Sequence, residues 1–164
     1  MQLDSAGFAS DVKRALASSK LDPARLQLEI GEALFDRRTA GMLEKLQELR
    51  KLGVNIALDD FGKASGSLGN LRAFPFDEVK IERTIIRDAP LRADSAAMVQ
   101  SVALLAQALS MRSLAEGVET VEELAAAVRA GCKKVQGFYF TRPVPVCELG
   151  HVMSVCQQKL AIAA

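Results

Sequence analysis

Two adjacent carboxylates, Asp59 and Asp60, close a short apolar run, Val54-Asn55-Ile56-Ala57-Leu58, and are followed by Phe61 and a turn glycine, Gly62. Like charges side by side are costly unless positive charge stands beside them. A divalent cation held by oxygen ligands is the usual remedy. Other polar groups recur at the ends of strand-like segments: Glu29 after Leu26-Gln27-Leu28, Lys80 after Asp77-Glu78-Val79, Glu116 after Arg112-Ser113-Leu114-Ala115, and Gln136 after Lys133-Lys134-Val135. Parallel strands would put all of these ends on one rim, where ligands and catalytic groups collect in α/β folds.

The four carboxylates Glu29, Asp59, Asp60 and Glu116 suit one or two hard cations bound through oxygen. In a two-metal site the ions share a ligand, commonly a carboxylate such as Asp59, and drive water against a phosphodiester. Lys80 on the same rim could position that water or offset charge growing on phosphate. The competing reading has the acids capping helices or pairing with lysines. That fits any single acid equally well, but it fits the repeated set poorly.

The elements that must position these residues alternate between helix and strand. Asp4 is placed to cap a helix with Phe8, Val12 and Leu16 on its apolar face, and Leu21-Asp22-Pro23 is a turn. Leu26 to Ile30 reads as a strand whose alternation separates Leu26, Leu28 and Ile30 from Gln27 and Glu29. Thr39 opens a helix burying Leu43, Leu46, Leu49 and Leu52 and stopping at Gly53. After the Asp59-Asp60 strand, Gly62 to Ser67 reads as a loop or lid, followed by a short helix over 68–73 and a strand at 77–81. Asp94 is placed to cap a long helix carrying Met98, Val102, Leu105 and Leu109. Thr120 and Glu123 form a capping box, Lys133 to Gln136 is the final strand, and a helix runs from about Val146 to the end. The pattern predicts a parallel sheet or barrel wall of five strands.

With 164 residues, 49% of them hydrophobic, 25% charged and a net charge of +1, the chain reads as one globular domain over residues 1–164. Near-neutral charge argues against binding a nucleic-acid polymer or an anionic membrane. No run approaches the roughly 20 apolar residues of a membrane span, and no signal-peptide pattern opens the sequence, so a cytoplasmic location is expected. Cys132, Cys147 and Cys156 lack C-x-x-C spacing and read as reduced, packed thiols. His151 is the sole histidine, which argues against a histidine-based metal site. Tyr139, between Phe138 and Phe140, reads as packing, and residues 62–67 lack the spacing of a phosphate-binding P-loop.

In order along the chain, Glu29-Ile30-Gly31-Glu32, Asp59-Asp60-Phe61-Gly62, Val79-Lys80-Ile81-Glu82, Ala115-Glu116-Gly117-Val118-Glu119-Thr120 and Gln136-Gly137-Phe138 resemble the successive signatures of the EAL domain family. That resemblance implies a TIM-like (β/α) barrel and hydrolysis of cyclic di-GMP to the linear dinucleotide with Mg²⁺ or Mn²⁺. It implies Glu29, Asp59, Asp60 and Glu116 as metal ligands, with Lys80 and Glu116 positioning and activating the attacking water. It implies Gln136 and Arg142, the latter in the closing Arg142-Pro143 pair, as substrate contacts. Glu32 and Glu119 match glutamates that hold the lid loop or support the site.

The departures from that pattern are specific. The leading strand that carries the family's naming Glu-Ala-Leu motif, and the strand after it with a metal-binding asparagine, have no counterpart in family order. An incomplete barrel of about five strands is therefore expected. Lys63-Ala64-Ser65 stands where the family has Thr-Gly-Tyr, Gly31 replaces a threonine, and Glu82 replaces an aspartate. Weak or absent hydrolysis by this chain alone is expected. The alternative is a degenerate domain that binds cyclic di-GMP or a protein without catalysis. Open sheet edges further imply a homo-oligomer or a partner chain covering the barrel.

Overall fold

In the computed structural model, which describes residues 7–63 and 68–163, helix and strand alternate as the patterning requires. The strands are β1 (Gln27–Gly31), β2 (Asn55–Phe61), β3 (Glu78–Ile81), β4 (Arg112–Ala115) and β5 (Lys134–Val135), hydrogen-bonded in the order β1-β2-β3-β4-β5. The pairs β1–β2 and β4–β5 are parallel. The helices are α1 (Phe8–Ser19), α2 (Glu32–Phe35), α3 (Ala40–Lys51), α4 (Leu68–Ala73), α5 (Arg83–Asp88), α6 (Ala93–Ala108), α7 (Val121–Arg129) and α8 (Leu149–Ala163). The packing divides into two compact units, Met1–Val79 and Lys80–Ala164.

In the first unit, register explains the strand pattern. Gln27, Glu29 and Gly31 stand opposite Asn55, Ala57 and Asp59, while Leu28 and Ile30 stand opposite Ile56 and Leu58. The second set is the apolar face, with Ile30, Ile56 and Leu58 buried. Ala57 is also buried, so β2 is enclosed on both faces, as a central parallel strand must be. Thr39 caps α3, its hydroxyl accepting from Met42 N at 3.2 Å, and Gly53 past the helix end takes φ +92, where a side chain would be strained. Met42, Leu46 and Leu49 are the buried residues of α3, whereas Leu43 and Leu52 are only half-buried. Phe35, Phe74 and Phe76 meet edge to face with centroids 5.0 to 6.5 Å apart, a buried knot behind α2 and α4.

In the second unit, α7 opens with the expected capping box. Thr120 Oγ1 accepts from Glu123 N at 3.2 Å, and Glu123 Oε2 accepts from Thr120 N at 3.3 Å.

Several expectations require correction. Gly7 is the N-cap of α1, with no side-chain cap, and Asp4 lies outside the described residues. Asp94 is not the cap of α6 but sits in its first turn, with Arg92 at the N-cap. The buried face of α6 is Val99, Val102, Ala103 and Ala106, while Met98 is exposed and Leu105 and Leu109 are half-buried. Apolar residues surround that helix, so packing on its neighbours picks the inward face and spacing alone could not select it. Cys147 is exposed rather than packed, and Gln136 lies just beyond β5. Residues 64–67 of the expected lid lie outside the described residues.

Candidate active site

The first unit presents its carboxylates from the ends of β1 and β2. The register places Glu29 opposite Ala57 and Gly31 opposite Asp59, so Glu29 and Asp59 share one face of the sheet, away from Ile56 and Leu58. Asp60 takes φ +57, a left-handed conformation for which aspartate is among the tolerated non-glycine residues. That turn ends the strand's alternation just where the two acids meet. Asp59 Oδ1 accepts from Asp60 N at 3.0 Å.

The turn is then pinned from two sides. Lys63 N donates to Asp60 O at 3.2 Å, with Gly62 between them at φ +97. Glu32 Oε2 accepts from Gly62 N at 3.2 Å, and Glu32 is 1% exposed, so a buried carboxylate fixes the start of the loop. Lys63 Nζ lies 3.5 Å from Asp60 Oδ2. Nearby, the buried Asn70 donates to Asp36 Oδ1 at 2.5 Å and accepts from Arg38 at 2.9 Å, while the Arg38 guanidinium sits over the Phe35 ring. This network ties α4, which follows the loop, to the segment after α2.

The second unit carries a buried ion pair. Lys80 on β3 lies between Val79 and Ile81, both fully buried, and its ammonium is 2.6 Å from Glu116 Oε1, just past β4. Burial of a lysine this deep requires such a partner, since an unpaired ammonium loses its hydration without return. Glu116 N donates to Ile81 O at 3.2 Å, extending the β3–β4 ladder by one residue. Gly117 follows at φ +67, where a Cβ would lie 2.6 Å from Arg83 Cβ, so only glycine fits.

Farther along, Val118 N donates to Gln136 O at 3.0 Å and Tyr139 N to Val118 O at 2.9 Å. A Cβ on Gly137 would overlap the Val118 backbone. Glu119 N donates to Glu123 Oε2 at 2.6 Å, and the Glu119 side chain is exposed. Gln136 and Arg142 are exposed too, the Arg142 guanidinium sits over the Phe138 ring at 4.8 Å, and both residues line a groove of about 860 Å³ with Phe138 and Phe140. Burial pushes the Cys132 thiol up to about 11, away from reactivity.

The sequence profile of the EAL domain matches residues 1–143. The chain belongs to the EAL domain family. RocR of Pseudomonas aeruginosa, named a cyclic di-GMP phosphodiesterase, is 37% identical over 144 residues, covering 88% of this chain and 37% of RocR. The PaMucR phosphodiesterase, solved as a c-di-GMP complex, superposes with a TM-score of 0.83 at 36% identity over 90% of this chain and 60% of its own. Klebsiella pneumoniae BlrP1, solved with manganese and cyclic di-GMP, superposes with a TM-score of 0.82 at 29% identity over 87% of this chain and 36% of its own. The chain thus spans less than two thirds of each of these relatives. Its fold is that of the EAL-type TIM-like α/β barrel, to which the described residues contribute five parallel strands.

Within this EAL domain the structure joins Lys80 to Glu116 directly and puts Glu29 and Asp59 on one sheet face. It brings Glu32 to the loop backbone at Gly62 and sets Gln136 and Arg142 along one groove. A Glu-Ala-Leu tripeptide does occur, at Glu32-Ala33-Leu34, but it forms the opening of α2 after β1 rather than a leading strand. Two contributors escaped the sequence reading. The contact of Lys63 with Asp60 was signalled only by the altered loop, and Asn70 carried no signal, because its partners lie more than thirty residues away.

Proposed function

We propose that this chain is an EAL module of cyclic di-GMP signalling that binds cyclic di-GMP together with Mg²⁺ or Mn²⁺, and that by itself it hydrolyses the nucleotide weakly or not at all. The observation that carries the reading is the Lys80–Glu116 pair, a buried ammonium committed to a carboxylate just past a strand end. Glu29, Asp59, Asp60 and Glu116 are an all-oxygen, anionic donor set, which fits a hard divalent cation, and the shared face of Glu29 and Asp59 supports it. Bound metal would supply charge neutralisation at a phosphodiester and a more acidic water.

The chain's own residues define the remaining roles. Lys80 orients Glu116 and offers a proton-bearing ammonium to water or phosphate oxygen, while Glu116 accepts a proton from attacking water. Gln136 and Arg142 contact the substrate from the groove lined by Phe138. Glu32 holds the loop after Asp60, and Glu119 supports the turn into α7. Residues 1–164 act as one EAL-like domain in the cytoplasm. Among the described residues no helix is long and apolar enough to cross a membrane. A second copy or a partner chain covers the open sheet edge at β1 or β5.

Weak turnover is favoured by the loop after Asp60, where Lys63-Ala64-Ser65 stands in place of the family's Thr-Gly-Tyr. The second reading, a degenerate binder of cyclic di-GMP or of a protein, is favoured by Lys63 beside Asp60. A turnover assay in Mg²⁺ or Mn²⁺, run beside a cyclic di-GMP titration, separates the readings. Hydrolysis or metal-dependent binding that is lost in Asp59→Asn supports the first reading, binding indifferent to metal and without turnover supports the degenerate module, and neither binding nor turnover refutes both nucleotide readings.

A further inference from the structure

We propose that Lys63 is a built-in counter-cation for Asp60 that competes with divalent metal for this carboxylate and so lowers the metal occupancy of the site. This rests on the metal reading above and adds a regulator that belongs to this chain's own loop. Lys63 Nζ lies 3.5 Å from Asp60 Oδ2. The proximity is enforced by the backbone. Lys63 N is hydrogen-bonded to Asp60 O at 3.2 Å, Asp60 and Gly62 both hold positive φ, and the turn between them is anchored on the buried Glu32 through Gly62 N. The lysine therefore starts from a fixed point a short reach from the acid.

Both side chains are largely solvated, 65% exposed for Lys63 and 48% for Asp60, so the pair is weak by itself. Weakness suits competition. A pair of this kind does not exclude a doubly charged ion, but each metal that binds must displace the ammonium from Asp60 or tolerate its repulsion. A flexible four-carbon stem lets the ammonium swing into water when metal arrives. Because the competition is electrostatic and exposed, salt screens it.

The test is the affinity of the full chain for Mn²⁺ alone, measured by calorimetry at low ionic strength. Lys63→Gln should tighten Mn²⁺ binding roughly two- to fivefold, the range set by an exposed ion pair. Lys63→Arg, which keeps the charge, should stay near the parent value. In an Asp60→Asn background the Lys63→Gln gain should vanish, and raising the salt should shrink it. If Lys63→Gln leaves binding unchanged or weaker while Asp60→Asn still loses metal, the competition is overturned. If Asp60→Asn binds Mn²⁺ like the parent, the metal reading itself is overturned.

Discussion

Lys80 Nζ and Glu116 Oε1 lie 2.6 Å apart, and the lysine is the deeper partner, 5% exposed against 20% for the glutamate. That asymmetry fixes what removal of either partner does. In Glu116→Gln a buried ammonium loses the charge of the carboxylate 2.6 Å away, at an expected cost of about 3 kcal/mol. In Lys80→Met an apolar chain fills the buried space and the carboxylate keeps access to water, at about 1 kcal/mol. Urea unfolding of the two variants checks this order, and a larger loss for Lys80→Met would contradict it.

Glu32 acts on the loop through one backbone group, Gly62 N–H at 3.2 Å. Glu32→Ala removes the acceptor from a buried position and should cost about 1–3 kcal/mol. Hydrogen exchange at residues 61–63 should accelerate well beyond the rest of the first unit. Glu32→Gln keeps an acceptor oxygen and should retain most of the protection. Equal exchange in both variants would show that the hydrogen bond does not hold the turn.

Two glycines should respond in opposite directions. Gly137 packs on the Val118 backbone so closely that a methyl would overlap it, and Gly137→Ala should cost about 3 kcal/mol or more. Among the described residues Gly31 meets nothing within 4 Å at its missing Cβ, and it occupies the N-cap of α2 with no side-chain hydrogen bond there. Gly31→Thr supplies a capping hydroxyl and a β-branched side chain, and should stabilise by a few tenths to about 1 kcal/mol. Thermal unfolding of the pair decides both signs.

Thiol reactivity should follow burial. Cys147 is exposed, whereas desolvation raises the Cys132 pKa to about 11, so Cys132 remains a protonated thiol well above neutral pH. Alkylation by iodoacetamide at pH 8, read by mass spectrometry, should modify Cys147 first and Cys132 slowly. Rapid labelling of Cys132 in the folded chain would contradict the burial argument.

The parts of this fold legible in the sequence are those set by neighbours along the chain. The Asp59-Asp60 strand end, the Thr120–Glu123 capping box and the Gly53 stop each depend on residues within a few positions. Family order supplied the correspondence among distant strand ends. The misses are of another kind. The inward face of α6 is chosen by packing on neighbouring elements, because its composition offers apolar residues in every direction. Asn70 works through Asp36 and Arg38, and the Phe35-Phe74-Phe76 knot joins segments about forty residues apart. Asp77, whose Oδ2 accepts from Ile56 N at 2.8 Å, is another such tie. Local spacing has no access to such partnerships.

The most direct measurement of the central claim is the affinity for cyclic di-GMP in Mn²⁺ and in EDTA, for the parent chain and for Asp59→Asn. Carboxylates that hold a cation between protein and phosphodiester predict at least roughly tenfold tighter binding in Mn²⁺, about 1.4 kcal/mol, for the parent. They predict that Asp59→Asn loses that gain. Equal affinity in Mn²⁺ and EDTA, unchanged by Asp59→Asn, would contradict the account.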